Sequence, residues 1–487
     1  MNQLHTKSAL AIRNLFVQGE ISAVEIVSHY LERIHKYNPD LQAFLKIYDD
    51  QALKKAALLD EKRAQKKPLG QMAGLPIGIK DNTHIQGEIT TCGSKFLEHY
   101  RAPFSATAVR LMLEEDAIIM GKLNLDEFSM GASSENSAYM TTKNPWNTEC
   151  TPGGSSGGSA AAISARLIAL ATGSDTGGSI RQPASFCGIS GFKPTYGRVS
   201  RYGLVAFGSS LDQIGPLGAR VKDIALMMET IGRNCPKDPT SLKKSSEEIL
   251  TSFSTDMKGK VIGVPHKLLE DLKGEVKTDF QDSLKRMESL GATLVDVDLD
   301  ILRYSIAVYY ILATAEASTN LARFDGIRHG IRTPQAASFE EVYKYSRDSG
   351  FGQEVKKRIL LGTFVLSSGH RDEFYRKAQK IRYLIAEAFH NAFNKTDFIA
   401  MPTCPVTAFA LGSFPDPFEM YLQDSLTIPA SLAGLPAISV PSGIDSKNKP
   451  MSLQIIGPKL QDAAVLQAGY AFEQTAPLYK TLPKGFL

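Results

Sequence analysis

A serine hydroxyl is a weak nucleophile at neutral pH. A chain that uses one must place a base beside it, and must aim backbone N–H donors at the oxygen where charge develops. Residues able to meet those needs occur in two places. Lys80 ends the short apolar run Leu75-Pro-Ile-Gly-Ile, and a lysine on a buried strand loses basicity to desolvation, which makes it a base near pH 7. Further on, Pro152-Gly-Gly-Ser-Ser-Gly-Gly-Ser159 and Gly173-Ser-Asp-Thr-Gly-Gly-Ser-Ile-Arg181 place Ser155 and Ser179 on glycine turns. Fourteen of the 39 glycines fall between Gly153 and Gly218, so the main chain there turns tightly and approaches something closely. The Thr176-Gly177-Gly178-Ser179 turn presents several N–H groups to one point, as an oxyanion hole requires.

Three other chemistries fit fragments of this stretch. Glycines before a helix also cradle phosphate, but the Lys-Ser/Thr ending of a P-loop is missing and no Gly-x-Gly-x-x-Gly follows a strand. Two overlapping Gly-x-Ser-x-Gly matches start at Gly153 and Gly154, yet a hydrolase elbow must leave a buried strand, and Asn147-Thr-Glu-Cys-Thr-Pro152 is polar and proline-broken. Asp175-Thr-Gly and Asp348-Ser-Gly imitate the paired turns of an aspartic protease, but Asp348 lacks apolar flanks and the chain is helix-rich. Ser155 taken alone reads as a helix cap. Two serines with a lysine base use the whole block.

The elements that must hold these residues read as an α/β fold. Ser22 and Glu25 form a capping box opening a helix that Asn38-Pro39 closes, and a second charged helix spans roughly Asp50 to Lys66. Residues 1–68 thus read as a helical segment packed on a core formed by 69–487. After it, a strand at 75–80, a helix at 105–117, a strand at 117–120 and the Ala-rich helix Ser159–Ala171 alternate, the last separating the two serine turns. Lys260–Val264, a helix from Gly274 and Ala292–Val297 form a βαβ unit, and 398–401 and 437–441 read as further buried strands. The alternation predicts one large fold with a central mixed sheet flanked by helices. The Ser/Lys-rich piece Lys237–Ser254 reads as a loop.

Composition sets further bounds. The chain has 487 residues, 43% hydrophobic and 22% charged, with a formal net charge of only +4, so no basic face for nucleic acid is evident. Five cysteines without a Cys-x-x-Cys pair point to a reducing compartment and no structural metal. The N-terminus lacks a leader pattern and no apolar run reaches about 18 residues, which predicts a cytoplasmic protein with no membrane association.

The block Gly153–Thr195, together with Gly78-Ile-Lys-Asp81, closely resembles the signature of the amidase signature family. Gly121–Gly131, Lys193–Leu204, Ser209–Pro216 and Ala315–Gly326 resemble one branch of it: the glutamine-hydrolysing subunits of amidotransferases acting on glutamyl-tRNA(Gln) and aspartyl-tRNA(Asn). The resemblance implies Ser179 as nucleophile, Ser155 after a cis peptide bond as proton relay, Lys80 as base, and the N–H groups of Thr176, Gly177, Gly178 and Ser179 as oxyanion hole. It implies that Arg358 reads the glutamine α-carboxylate and Asp424 the α-ammonium. Tyr309 or Tyr310 would line that pocket, with Ser133 and Glu127 at its wall or at a tunnel entrance. It implies no cofactor in this chain. A B subunit would use ATP and Mg and hold the tRNA, and a small C subunit would join the two. A stand-alone amidase would share the three catalytic positions without needing Arg358 or Asp424; an inactive scaffold would have lost them.

Overall fold

The computed structural model describes residues 3–243, 249–414 and 417–486. Its centre is an 11-stranded mixed sheet. In chain order the strands are β1 Phe44–Ile47, β2 Pro76–Lys80, β3 Ile118–Leu123, β4 Leu170–Asp175, β5 Ser190–Lys193, β6 Gln213–Gly218, β7 Val261–Val264, β8 Thr293–Asp296, β9 Phe398–Pro402, β10 Ala437–Ile444 and β11 Pro450–Ile456. Across the sheet they run β1-β3-β2-β4-β6-β5-β10-β11-β9-β7-β8. Every residue of β2, β4, β5, β6, β9 and β11 is buried, as expected for inner strands covered on both faces. One hydrophobic core runs from Leu4 to Phe486. Among the described residues no helix is long and apolar enough to cross a membrane, and all five cysteines are free and buried.

The sheet brings the chemistry together through β2 and β4, which are adjacent and parallel, with Ile77 opposite Leu170 and Gly78 opposite Ala171. Lys80 is the last residue of β2, and β4 ends at Asp175, immediately before Thr176–Ser179. Both therefore emerge at the carboxyl ends of neighbouring parallel strands, where open α/β sheets place ligands. Gly78 lets neighbouring side chains pack over β2: a Cβ there would lie 2.5 Å from Leu123 Cδ1 and 2.6 Å from Ile168 Cδ1.

Several boundaries differ from the sequence expectation. The helix opened by the Ser22–Glu25 capping box continues past Pro39 to Leu41. Proline lost only one hydrogen bond in the last turn, and left-handed Gln42 closes the helix with its N–H on the Asn38 carbonyl. Residues 1–68 are not wholly helical, because Phe44–Ile47 adds strand β1 beside β3. The Ala-rich run is the main correction. Its helix covers only Gly157–Ser164, Arg166 turns at φ 55°, and Leu170–Asp175 is strand β4. Residues apolar on every side carry no helical or strand period, so the switch left no mark in the pattern. The 237–254 piece has a 3-10 turn at Leu250–Ser252, while 244–248 lie outside the described residues.

On the other side of the site, helices Ser305–Asn320 and Gln353–Leu366 carry the two tyrosines and Arg358. They meet at Gly362, where a Cβ would lie 1.9 Å from the Thr314 carbonyl oxygen. Gly362→Ala is therefore expected to cost about 1–3 kcal/mol by overpacking and to lower Tm in a thermal melt. An unchanged Tm would mean the helices are not held at this distance.

Candidate active site

Lys80 is completely buried. Its Nζ lies 2.8 Å from Ser155 Oγ, 2.8 Å from Ser156 Oγ and 3.0 Å from Ser174 Oγ, and among the described residues no carboxylate forms an ion pair with it. Desolvation lowers its pKa to about 7, against the weaker pull of Asp126, Asp175 and Asp212. A neutral amine has two N–H donors and one lone pair. Ser156 Oγ is engaged with β4, donating to the Ser174 carbonyl at 3.3 Å and accepting from the Ser174 N–H at 3.4 Å. Lys80 is the only hydrogen-bond partner of Ser155 Oγ among the described residues. Donation to Ser156 and Ser174 thus leaves the lone pair for the Ser155 hydroxyl proton.

The backbone around Ser155 is fixed from several sides. The Gly154–Ser155 peptide bond is cis. Asp126 N–H donates to the Ser155 carbonyl at 3.3 Å, and Gly154 N–H donates to Gln182 Oε1 at 2.8 Å. A Cβ on Gly154 would lie 2.1 Å from Asp126 Oδ2, so only glycine fits. Ser156 N–H donates to the Ser179 carbonyl at 3.1 Å, which lays the two serine turns side by side.

The Ser179 turn hangs on an ion pair. Arg181 grips Asp175 through Nη2 at 2.8 Å and Nε at 3.0 Å, and also donates to the Thr427 carbonyl, Gln454 and Ser431. Burial alone would raise the Asp175 carboxyl, but the guanidinium outweighs it and holds it below its usual range. Asp212 accepts from Thr176 Oγ1 at 2.6 Å and from the N–H groups of Phe207 and Gly208. Between these anchors, the N–H groups of Gly177, Gly178 and Ser179 donate to nothing among the described residues. They are available to an oxyanion.

Polar side chains face that turn. A Cβ on Gly177 would meet the Tyr309 hydroxyl at 2.9 Å, and one on Gly178 would lie 3.3 Å from Asp424 Oδ1. Asp424 Oδ1 is buried without a hydrogen-bond partner. Desolvation, reinforced by the Asp175 charge, raises its pKa to about 8, so a cation arriving there would return it to the ionised form. Arg358, also buried, donates from Nε to Glu354 at 2.8 Å and lies over the rings of Tyr310, Tyr421 and Phe207 at 5.2, 5.5 and 5.6 Å. Glu354 also accepts from the Tyr421 hydroxyl at 2.8 Å, and Tyr421 precedes Asp424 by one turn. No carboxylate among the described residues meets the Nη fork.

Both tyrosines therefore belong to the surroundings of the site. Tyr309 packs on the Ser179 turn, and Tyr310 stacks on Tyr421 at 4.0 Å beneath the guanidinium. Ser133 is buried behind Ser155, its N–H nitrogen 2.7 Å from where a Gly154 Cβ would be and its carbonyl accepting from Thr151 Oγ1 at 2.6 Å. Glu127 is buried and accepts hydrogen bonds from Ser94 Oγ and Gly352 N–H. Sequence reasoning missed Asp126, Asp212, Ser174, Glu354 and Tyr421. It quoted Asp175 and Arg181 without joining them, although their spacing across one turn was a usable signal.

The amine of Lys80 should titrate near pH 7. Its side-chain carbon shifts, followed by NMR on lysine-labelled protein, are expected to move through a midpoint there. A group still protonated above about pH 9, close to an unperturbed lysine, would contradict the burial argument.

This geometry can be set beside known proteins. The sequence profile described as Amidase matches residues 25–466. The A subunit of glutamyl-tRNA(Gln) amidotransferase from Protochlamydia amoebophila is 56% identical over 477 residues, covering 98% of each chain. The crystal structure of the A subunit of glutamyl-tRNA(Gln) amidotransferase from Thermotoga maritima superposes with a TM-score of 0.80 at 40% identity, covering 95% of this chain and 94% of that one. A bacterial aryl acylamidase of the amidase signature enzymes superposes with a TM-score of 0.87 over 99% of both chains, and at 24% identity it speaks for the fold alone. With one family profile spanning both serine turns and the lysine strand, and relatives alike from end to end, the chain belongs to the amidase family.

Proposed function

We propose that the chain is the glutaminase subunit of a tRNA-dependent amidotransferase, hydrolysing glutamine to supply ammonia for amidation of glutamyl-tRNA(Gln), aspartyl-tRNA(Asn) or both. The observation that carries the substrate is a pair of polar groups around the serine turn that keep open hydrogen-bonding positions. Arg358 offers an Nη fork for a carboxylate, and Asp424 Oδ1 sits without a partner beside Gly178. A free α-amino acid brings both counter-charges. A small or aryl amide brings neither, and would leave the Nη fork without a carboxylate and Asp424 Oδ1 buried without a partner, which costs free energy. The amidotransferase relatives support the same reading.

In this mechanism the Ser155 hydroxyl gives its proton to neutral Lys80 and takes the proton of Ser179 Oγ as that oxygen attacks the side-chain carbonyl carbon of glutamine. The carbonyl oxygen gains negative charge among the N–H groups of Gly177, Gly178 and Ser179, with Thr176 held by Asp212 at the edge. The C–N bond breaks as the relay returns the proton to the leaving nitrogen, giving ammonia and a glutamyl ester on Ser179. Water activated by the same relay then attacks the ester, releasing glutamate. Ser156, tied to β4, holds Lys80 in place.

The chain's own half of the reaction uses no cofactor in this reading. ATP and Mg serve a partner B subunit that activates and amidates the tRNA-borne carboxylate, with a small C subunit binding the two together. The tRNA contacts lie mostly on that partner, in keeping with a net charge of only +4.

Ser179→Ala is expected to lower glutamine turnover by roughly a thousandfold or more, the scale on which a unit of this kind fails when its nucleophile is removed. Undiminished turnover would eliminate the assignment. Arg358→Ala should raise the glutamine KM by roughly ten- to hundredfold through loss of a charged hydrogen-bond pair, and an unchanged KM would remove Arg358 from the pocket. ATP-dependent amidation of each mischarged tRNA by the assembled enzyme decides which tRNA is served.

A further inference from the structure

Residues Asp126–Ser129 lie just beyond β3, between the Ser155 segment and the start of the Arg358 helix. Asp126 N–H donates to the Ser155 carbonyl. Ser129 Oγ accepts from Asn82 Nδ2 at 2.8 Å; the same amide donates to Ser174 Oγ at 2.8 Å, a partner of Lys80. Between them, Glu127 is 2% exposed and points the other way. Its Oε2 accepts from the N–H of Gly352 at 2.8 Å, and its Oε1 from Ser94 Oγ. Gly352 is the N-cap of Gln353–Leu366, the helix that carries Arg358, and that cap has no side-chain hydrogen bond of its own.

Glu127 thus does across the fold what a glutamate at the third helical position does locally in a capping box, accepting the N-cap N–H. Its placement suits the positive end of the helix. The fit is close, since a Cβ on Gly352 would lie 2.4 Å from Glu127 Oε2. The neighbouring Phe128 packs against Phe351 and Phe324, with ring centroids at 5.6 and 5.2 Å, so the helix start is gripped on its apolar side as well.

We propose that Glu127 is a positioning residue for substrate recognition, tying the start of the Arg358 helix to the segment that holds Ser155 and Lys80, and so fixing where the carboxylate-binding fork stands relative to the attacked carbonyl. The inference rests on the glutaminase reading of Arg358.

The test compares glutamine with butyramide, which has the same amide but neither α-group, in the full-length protein. Glu127→Ala is expected to raise the glutamine KM by roughly ten- to hundredfold, the loss of the Gly352 and Ser94 hydrogen bonds together, while kcat and butyramide turnover stay within about threefold. Glu127→Gln keeps an acceptor for Gly352 N–H and a donor for Ser94 Oγ, and should restore KM to within about threefold of wild type. Gly352→Ala should reproduce the KM defect with Glu127 intact. Equal losses on both amides would reduce Glu127 to general stability. A Gln variant as impaired as Ala would mean that the carboxylate's charge or proton, and not the hydrogen bonds that position the helix, carries the effect, and no change in any variant would leave the helix positioned by other contacts; each of these overturns the proposal. Wild-type protein that cleaves butyramide but not glutamine would instead refute the glutaminase reading, before any variant is made.

Discussion

An amine buried without a carboxylate partner is the constraint on which the site depends. Keeping Lys80 charged in that place would cost several kcal/mol of lost hydration, so the structure favours its neutral form and surrounds it with the hydroxyls of Ser155, Ser156 and Ser174. Two of those hydroxyls are engaged elsewhere, with β4 and with Asn82. Ser156 spends its proton on the Ser174 carbonyl, and Ser155, whose only partner among the described residues is Lys80, is set to give its proton to the lone pair. Strand β2 supplies the burial, its neighbour β4 supplies Ser174, and the helix starting at Gly157 packs above them.

Everything else serves to bring a carbonyl to that relay. The Asp175–Arg181 pair is fully buried and hydrogen-bonded on several sides, the condition under which a buried ion pair holds geometry. It locks the Ser179 turn to the segment leading out of Asp424. Glycine appears where main chain meets a functional group: Gly154 against Asp126, Gly177 against Tyr309, Gly178 against Thr427 and Asp424. The glycine density in the sequence is thus the trace of a turn lined by other groups at van der Waals distance.

Much of this was legible in advance, because the chemistry is concentrated in two short motifs. The strand ending at Lys80, the βαβ unit around β7 and β8, and the strands at β9 and β10 followed from apolar runs with clear flanks. What stayed hidden has a common cause. The run Ser159–Ala171 is buried on all sides, so its change from helix to strand left no periodicity to read. Asp126 and Asp212 look in sequence like ordinary turn aspartates; only folding reveals that they hold the two serine turns. Arg358 came from the resemblance alone, since its burial against Tyr310 and Tyr421 depends on contacts from separate parts of the chain. Glu127, expected at a pocket wall or a tunnel entrance, accepts from a helix start 225 residues away, a partner no local pattern announces.

The central claim is that a neutral Lys80 acts through Ser155 on Ser179. Rapid-quench mass spectrometry with glutamine tests it most directly, by locating the glutamyl ester and following its rate of formation against pH. The lowered lysine pKa makes the base form dominant above its midpoint, so the account predicts an ester on Ser179 whose formation accelerates as pH rises through about 7. An ester on Ser155 or Ser156, or a rate indifferent to pH across that range, would contradict it.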